Sequence, residues 1–147
     1  MTNCHKEIVL TYILGRKTAL SMTQLNTKRI KLITMYIMSI FYISVGINHF
    51  VEPEWFIQIV PPYLSKYDLE LVYTSGVFEV VFGALILFKK TRYYAAWGLI
   101  LTLAAVFPAN IYLAQSDGVA MGTSAAVAWY RLPFQSLFIV LAYWHRN

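Results

Sequence analysis

The chain has 147 residues, 59% of them hydrophobic and 13% charged, whereas soluble domains carry about 45–50% apolar and about 25% charged residues. Its mean hydropathy is +0.55, and its net charge of +5 comes from basic residues at the chain ends and in one short loop, beside long apolar runs. That placement orients a membrane protein and does not build a phosphate-binding face, so a soluble globular domain and a nucleic-acid-binding module are both excluded.

In chain order, residues 1–28 are polar and basic, with Lys6, Arg16, Lys17 and Lys28. The apolar stretch "IVLTYIL" at 8–14 is too short to cross a bilayer and no small-residue cleavage site follows it, which argues against a removed signal peptide. Met22 stands ahead of "TQLNTKRIKLITMYIM", a normal start for a first span. Residues 1–28 are therefore read as a cytoplasmic extension, amphipathic or disordered, with residues 1–21 open as a start-site artefact. Residues 29–147 form the membrane domain.

The expected fold class is all-α, a transmembrane four-helix bundle. A crossing takes about 20 apolar residues, and four segments qualify: 31–50, 69–88, 93–114 and 124–145, the last read as one helix kinked at Pro133. Between the first two, "EPEWFIQIVPPYL" places Trp55, Phe56, Ile59 and Val60 on one helical face, with Pro53 to start a helix and Pro61–Pro62 to end it. A short interfacial helix is expected there, closing the outer mouth of the bundle. Lys28, Arg29 and Lys31, then Lys89, Lys90 and Arg92, then Arg146 mark one side, while Glu52, Glu54, Asp68 and Asp117 mark the other. This places both termini in the cytoplasm, as an even number of crossings requires, in a multi-pass protein of the cell membrane. Trp55 and Trp129 fall near the outer interface, Trp97 and Trp144 near the inner one. Lys89, Lys90 and Arg92 are given no role beyond topology.

The polar residues inside the apolar runs carry the functional information. Ser39, Tyr42, Gly46 and His49 recur at helical spacing on the first segment. Gly76, Glu79 and Gly83 do so on the second, and Arg131 and Gln135 on the fourth, while Asn110 follows Pro108 on the third. Small residues let helices approach, so these stripes are interior faces. At a rise of 1.5 Å per residue, Glu79 lies about 15 Å and Arg131 about 10 Å below the outer end of its segment. A charge at the bilayer centre costs about 2.5–3.5 kcal/mol on insertion scales, so Glu79 and Arg131 are expected to pair, directly or through Gln135, His49 or water. The candidate ligand-binding residues are His49, Glu79, Asn110, Arg131 and Gln135. For Asn110 a structural role, satisfying the carbonyl that Pro108 leaves without a donor, is the stronger expectation.

The single Cys4 rules out an internal disulfide and dithiol chemistry by this chain alone. No phosphate-binding glycine loop, nucleophile elbow or paired-histidine metal helix is present. No catalytic residue and no metal ligand is assigned.

"GINHF", "YTSGVFEVVFG", "VFPANIY" and "RLPFQ", taken in order, resemble the DoxX-like integral membrane proteins over about residues 32–145. The matching positions are Gly46, His49, Phe50, Pro61, Gly76, Glu79, Pro108, Asn110, Arg131, Pro133 and Gln135. The resemblance implies a small four-helix membrane fold. It also implies a link to quinone chemistry, since the family is named for subunits of quinone-linked thiosulfate oxidation, or an accessory or assembly role, which relatives have. Three functional readings follow. The first is an accessory or binding subunit whose outward-facing intramembrane polar pocket takes a lipid- or quinone-like ligand or a membrane partner. The second is the membrane subunit of a quinone-linked oxidoreductase, with a redox partner holding the cofactor. The third is a small proton-coupled transporter using Glu79. The chain alone binds no cofactor in these readings, with quinone the candidate to be shared. The bilayer, another membrane protein or a second copy of the chain are the expected partners.

Overall fold

The structure, a computed structural model, describes the backbone of residues 2–147 and the side chains of residues 21–147. The side-chain character expected of residues 1–20 lies outside the described residues. Among the described residues the chain is helical and contains no strand. Five α-helices follow one another: α1 (Thr2–Val51), α2 (Pro53–Ile57), α3 (Asp68–Leu85), α4 (Arg92–Gln115) and α5 (Ala125–His145). Short 3₁₀ turns, Pro62–Tyr67 and Val119–Met121, occupy the α2–α3 and α4–α5 links. The chain divides into two compact units, Met1–Thr34 and Met35–Asn147.

In the first unit two threonine hydroxyls bond back to carbonyls one turn earlier in the same helix: Thr27 donates to Thr23 O at 2.9 Å and Thr34 to Ile30 O at 2.9 Å. Most of its described side chains, Met22, Leu25 and Ile30 among them, are exposed.

The second unit is built on close helix contacts. The α1 and α3 pairing runs Ser39 and Tyr42 with Gly83, then Gly46 and His49 with Gly76. As one helix rises the other descends, so they are antiparallel. At Gly46 an added Cβ would lie 2.8 Å from Gly76 O, and at Gly76 one would lie 2.7 Å from His49 Cβ. Only residues without a Cβ allow backbone-to-backbone contact of this kind. The Ser39 hydroxyl donates to Gly83 O at 2.6 Å, about two turns further along. Helix α4 packs against both α3 and α5, and Phe41 of α1 stacks on Phe138 of α5 with ring centroids 4.7 Å apart. Two apolar clusters form the core, one around Met38, Tyr42, Ile86 and Leu99, the other around Ile59, Leu113, Met121 and Ala128.

Three helical stretches are long and apolar enough to cross a membrane: Ser21–Val51, Arg92–Gln115 and Ala125–His145. They correspond to the first, third and fourth expected segments. The second, α3, has 18 residues and includes Asp68, Glu70 and Glu79, and it does not stand with the three on length and composition. It also ends earlier than expected, at Leu85 instead of residue 88. The last carbonyls of a helix lack intrahelical donors, and here side chains from the next link supply them. The Thr91 hydroxyl donates to Leu85 O at 2.7 Å, Arg92 Nε to Ile86 O at 3.0 Å, and Arg92 Nη2 to Leu87 O at 3.2 Å. Arg92 therefore caps α3, a role the sequence reading did not give it.

The proline-bounded helix after α1 is real but short. Pro53 sits in its first turn as expected, α2 ends at Ile57, and the chain passes through a turn into the 3₁₀ segment before α3. Helix α5 is continuous through Pro133, and the Ser124 hydroxyl caps its start by accepting from Val127 N–H at 3.4 Å.

The glycine contact generates a prediction. Gly76→Ala forces its new methyl against His49 Cβ and Gly46 O, and overpacking of this kind costs about 1–3 kcal/mol. The thermal midpoint of the detergent-purified protein should fall accordingly; an unchanged midpoint would mean that α1 and α3 do not meet backbone to backbone.

Candidate functional site

The five helices enclose a cavity of about 600 Å³, within the range of about 300–1,000 Å³ typical of small-molecule sites. It shares Tyr42 and Leu103 with one apolar cluster and Ile59 with the other, so it lies between them. Its walls are mostly apolar. All five residues singled out in the sequence, His49, Glu79, Asn110, Arg131 and Gln135, line it.

His49 and Glu79 are brought together by the glycine crossing. Each lies three residues beyond its glycine, His49 after Gly46 and Glu79 after Gly76. Helical side chains lean toward the N-terminus of their own helix. On antiparallel helices the two therefore lean toward each other, and His49 Nδ1 lies 3.4 Å from Glu79 Oε2. Nδ1 also donates to Val45 O at 2.8 Å. A carbonyl oxygen only accepts, so the proton on Nδ1 is directed there, and Nε2 is the lone-pair acceptor of the neutral ring. Glu79 Oε2 consequently sits at ion-pair distance from the imidazole yet has no hydrogen-bond donor. Phe56 of α2 stacks on the His49 ring at a centroid distance of 3.8 Å, so α2 closes over this part of the wall.

Across the cavity a hydrogen-bond chain links α5 to α4. Arg131 Nε donates to Asn110 Oδ1 at 3.0 Å, Asn110 Nδ2 donates to Gln135 Oε1 at 3.0 Å, and Gln135 Nε2 donates to Leu103 O at 2.7 Å. Arg131 Nη1 also points at Met121 Sδ, 3.8 Å away, and the guanidinium lies 5.9 Å from the Trp55 ring centre. Two expectations are corrected here. Of the ways in which Glu79 and Arg131 could pair, the direct one is excluded: the neighbour of the Glu79 carboxyl is the His49 imidazole, and the guanidinium is turned toward the amide of Asn110. Matching depth along two helices does not fix their lateral separation, and the Asn110–Gln135 amides compete for the arginine. Asn110, for its part, spends its side chain on Arg131 and Gln135 and not on the carbonyl left free by Pro108.

One member of the site was missed. Tyr42 lies on the same stripe as His49 but is not among the five candidate ligand-binding residues. It is 2% exposed, lines the cavity, and its Oη has no hydrogen-bond partner. Glu79, at 5% exposure, leaves Oε2 in the same condition. Buried polar atoms without partners are rare, because each costs about 1–3 kcal/mol. Two of them on one cavity wall mark the place where a bound group is complementary to the protein. Among the other wall hydroxyls, Thr102 donates to Gly98 O at 2.9 Å and Ser75 to Val72 O at 2.8 Å.

The geometry separates two pairs of substitutions. In delipidated detergent, Glu79→Gln and Arg131→Gln should lower thermal stability additively, within about 0.5 kcal/mol, as uncoupled sites do. Arg131→Gln and Asn110→Ala should couple by about 0.5–3 kcal/mol, because they share a hydrogen bond. Coupling of the first pair and not the second would contradict the arrangement described.

No curated protein and no solved structure matches the chain. A family model does, over residues 38–146, which takes in all of the cavity's walls. The chain belongs to the family described as a domain of unknown function (DUF8561).

Proposed function

We propose that this protein is a multi-pass protein of the cell membrane, a four-helix bundle of α1, α3, α4 and α5 with both termini cytoplasmic, and that it acts as a binding or accessory subunit. Its intramembrane cavity takes a lipid- or quinone-like molecule, or the end of a partner's helix. Several features support the membrane reading. Asp68 and Glu70 lie in the first turn of α3, so from Leu71 to Phe88 Glu79 is the single charge. The helical part of that stretch, Leu71–Leu85, rises about 22 Å at about 1.5 Å per residue, roughly three quarters of the hydrocarbon thickness of about 30 Å. Large apolar side chains such as Ile40, Leu101, Phe134 and Val140 are exposed on the outer faces of the helices, where lipid would cover them. Lys89, Lys90, Arg92 and Arg146 fall at the ends assigned to the cytoplasm, and Glu52, Glu54, Asp68 and Asp117 at the opposite ends. The likeness of four ordered motifs to DoxX-like proteins points to the same architecture.

The observation that carries the binding reading is the cavity itself. An apolar pocket with a few convergent polar groups is the usual form of a ligand site, and here Glu79 and Tyr42 line it, with Oε2 and Oη buried and without hydrogen-bond partners. An ionisable group inside a membrane span has a functional role by default. α2, with Phe56 seated on His49, forms the cover over the end assigned to the outer leaflet.

Native mass spectrometry of the mildly solubilised protein, with organic extraction of lipids and quinones, tests this. The wild type should retain an amphiphile at about one per chain, and Glu79→Gln should lose most of it while keeping its helicity. Retention that is identical in the variant, or no retained molecule in either, would contradict the binding role.

A further inference from the structure

The cavity holds one acid and one base that do not neutralise each other. Glu79 stands on the α1–α3 side with an imidazole for company, and Arg131 on the α4–α5 side with a neutral amide. Among the described residues no carboxylate reaches ion-pair distance of Arg131. In water this would mean little. In an apolar cavity each uncompensated charge is costly, and the cost is removed by a partner of opposite sign that is also hydrogen-bonded.

We propose that the ligand is a zwitterion, with a primary ammonium for Glu79 and an oxyanion, phosphate or carboxylate, for Arg131. This rests on the binding role proposed above and narrows it. A neutral head would leave the guanidinium uncompensated and would give the Glu79 carboxyl no counter-charge. A simple anion would satisfy Arg131 and leave Glu79 worse placed; a simple cation would do the reverse. A molecule carrying both leaves the filled cavity neutral.

The donor and acceptor count supports the same chemistry. An ammonium has three N–H donors. The α1–α3 wall carries groups that can accept from them: the Glu79 carboxyl and the Tyr42 hydroxyl, whose Oε2 and Oη are buried without partners, and the His49 ring, whose Nδ1 is committed to Val45 O. On the other wall a guanidinium has five N–H donors in a planar fork suited to carboxylate or phosphate. Within the protein Arg131 uses Nε on Asn110 and directs Nη1 to a thioether, a weak acceptor. The remaining donors match an oxyanion.

The cavity walls favour a membrane lipid as the source of this head. Phe41, Phe78 and Phe134 line the cavity and are 42%, 44% and 58% exposed. They mark places where the interior and the surrounding lipid are one side chain apart, so acyl chains can leave between helices while the head stays inside. An aminophospholipid of the phosphatidylethanolamine type has all three parts.

The test is competitive lipid retention by native mass spectrometry, using phosphatidylethanolamine, phosphatidylglycerol and phosphatidylcholine of matched chains, with free glycerophosphoethanolamine as a separate competitor. Phosphatidylglycerol has the anion without the ammonium, and phosphatidylcholine has a cation with no N–H to donate. The wild type should retain phosphatidylethanolamine about tenfold better than either, the worth of one charge-assisted hydrogen bond. Glu79→Gln should reduce it to the level of phosphatidylglycerol, and Arg131→Gln should weaken all three. Tyr42→Phe, which removes only a hydroxyl, should reduce the ethanolamine preference about threefold and serves if Glu79→Gln does not fold. Displacement by glycerophosphoethanolamine alone would support the zwitterion and assign it a soluble source. Lipid retained with equal affinity for all three heads, or a preference unchanged in Glu79→Gln or Tyr42→Phe, would overturn the zwitterion and leave the binding role standing. No lipid and no zwitterion retained at all would overturn both.

Discussion

The contact between Gly46 and Gly76 sets the geometry of everything around it. With no Cβ on either residue, α1 and α3 touch through their backbones. Every neighbouring interaction on that face depends on the distance this creates. Ser39 reaches a carbonyl of the opposite helix at 2.6 Å, His49 and Glu79 lean into each other at 3.4 Å, and Tyr42 is turned inward with its hydroxyl at the cavity wall. A helix pair held apart by ordinary side chains would separate by an ångström or more, and the imidazole and carboxylate would no longer meet. In a membrane, where apolar burial gives helices little reason to associate, such close packing is also a principal source of cohesion.

The second wall is organised on a different rule. Arg131, Asn110 and Gln135 form a directional chain of donors ending on Leu103 O, so α5 is tied to α4 by amide and guanidinium groups. This chain holds the guanidinium in place without discharging it. The result is a cavity with a carboxyl on one wall and a guanidinium on another, an arrangement less stable than an apolar interior of the same volume. Strain of this kind, retained at one place in an otherwise well-packed bundle, is the physical form of a site: the unfilled interactions are what a bound molecule completes.

Much of this was legible in the chain. The spacing of Ser39, Tyr42, Gly46 and His49, and of Gly76, Glu79 and Gly83, identified the two faces that meet, because only one helical face can carry small and polar residues against another helix. The convergence of His49, Glu79, Asn110, Arg131 and Gln135 on one cavity followed from the same periodicity. What the periodicity could not supply was lateral position. Depth along each helix placed Glu79 and Arg131 level, yet the choice of partner was decided across the bundle, where Asn110 took the arginine and His49 the carboxylate. Helix ends were also beyond its reach. The apolar run continues to Phe88, but Thr91 and Arg92 fold back onto the carbonyls of residues 85–87 and stop α3 there. The Tyr42 hydroxyl was hidden for a simpler reason: tyrosine packs well almost anywhere, and only the absence of a partner for its Oη distinguishes a site residue from a core one.

The account rests most directly on the meeting of His49 and Glu79 beside the glycine crossing. Solid-state NMR of the protein in lipid bilayers can measure it, with ¹⁵N in histidine and ¹³C in the glutamate side-chain carboxyl. His49 Nδ1 should be dephased by a carboxyl carbon at a distance consistent with the 3.4 Å separation of Nδ1 and Oε2, and the effect should vanish in Glu79→Gln. Absence of that dephasing in the wild type, or its survival in the variant, would show that the two helices do not cross where the glycines face each other.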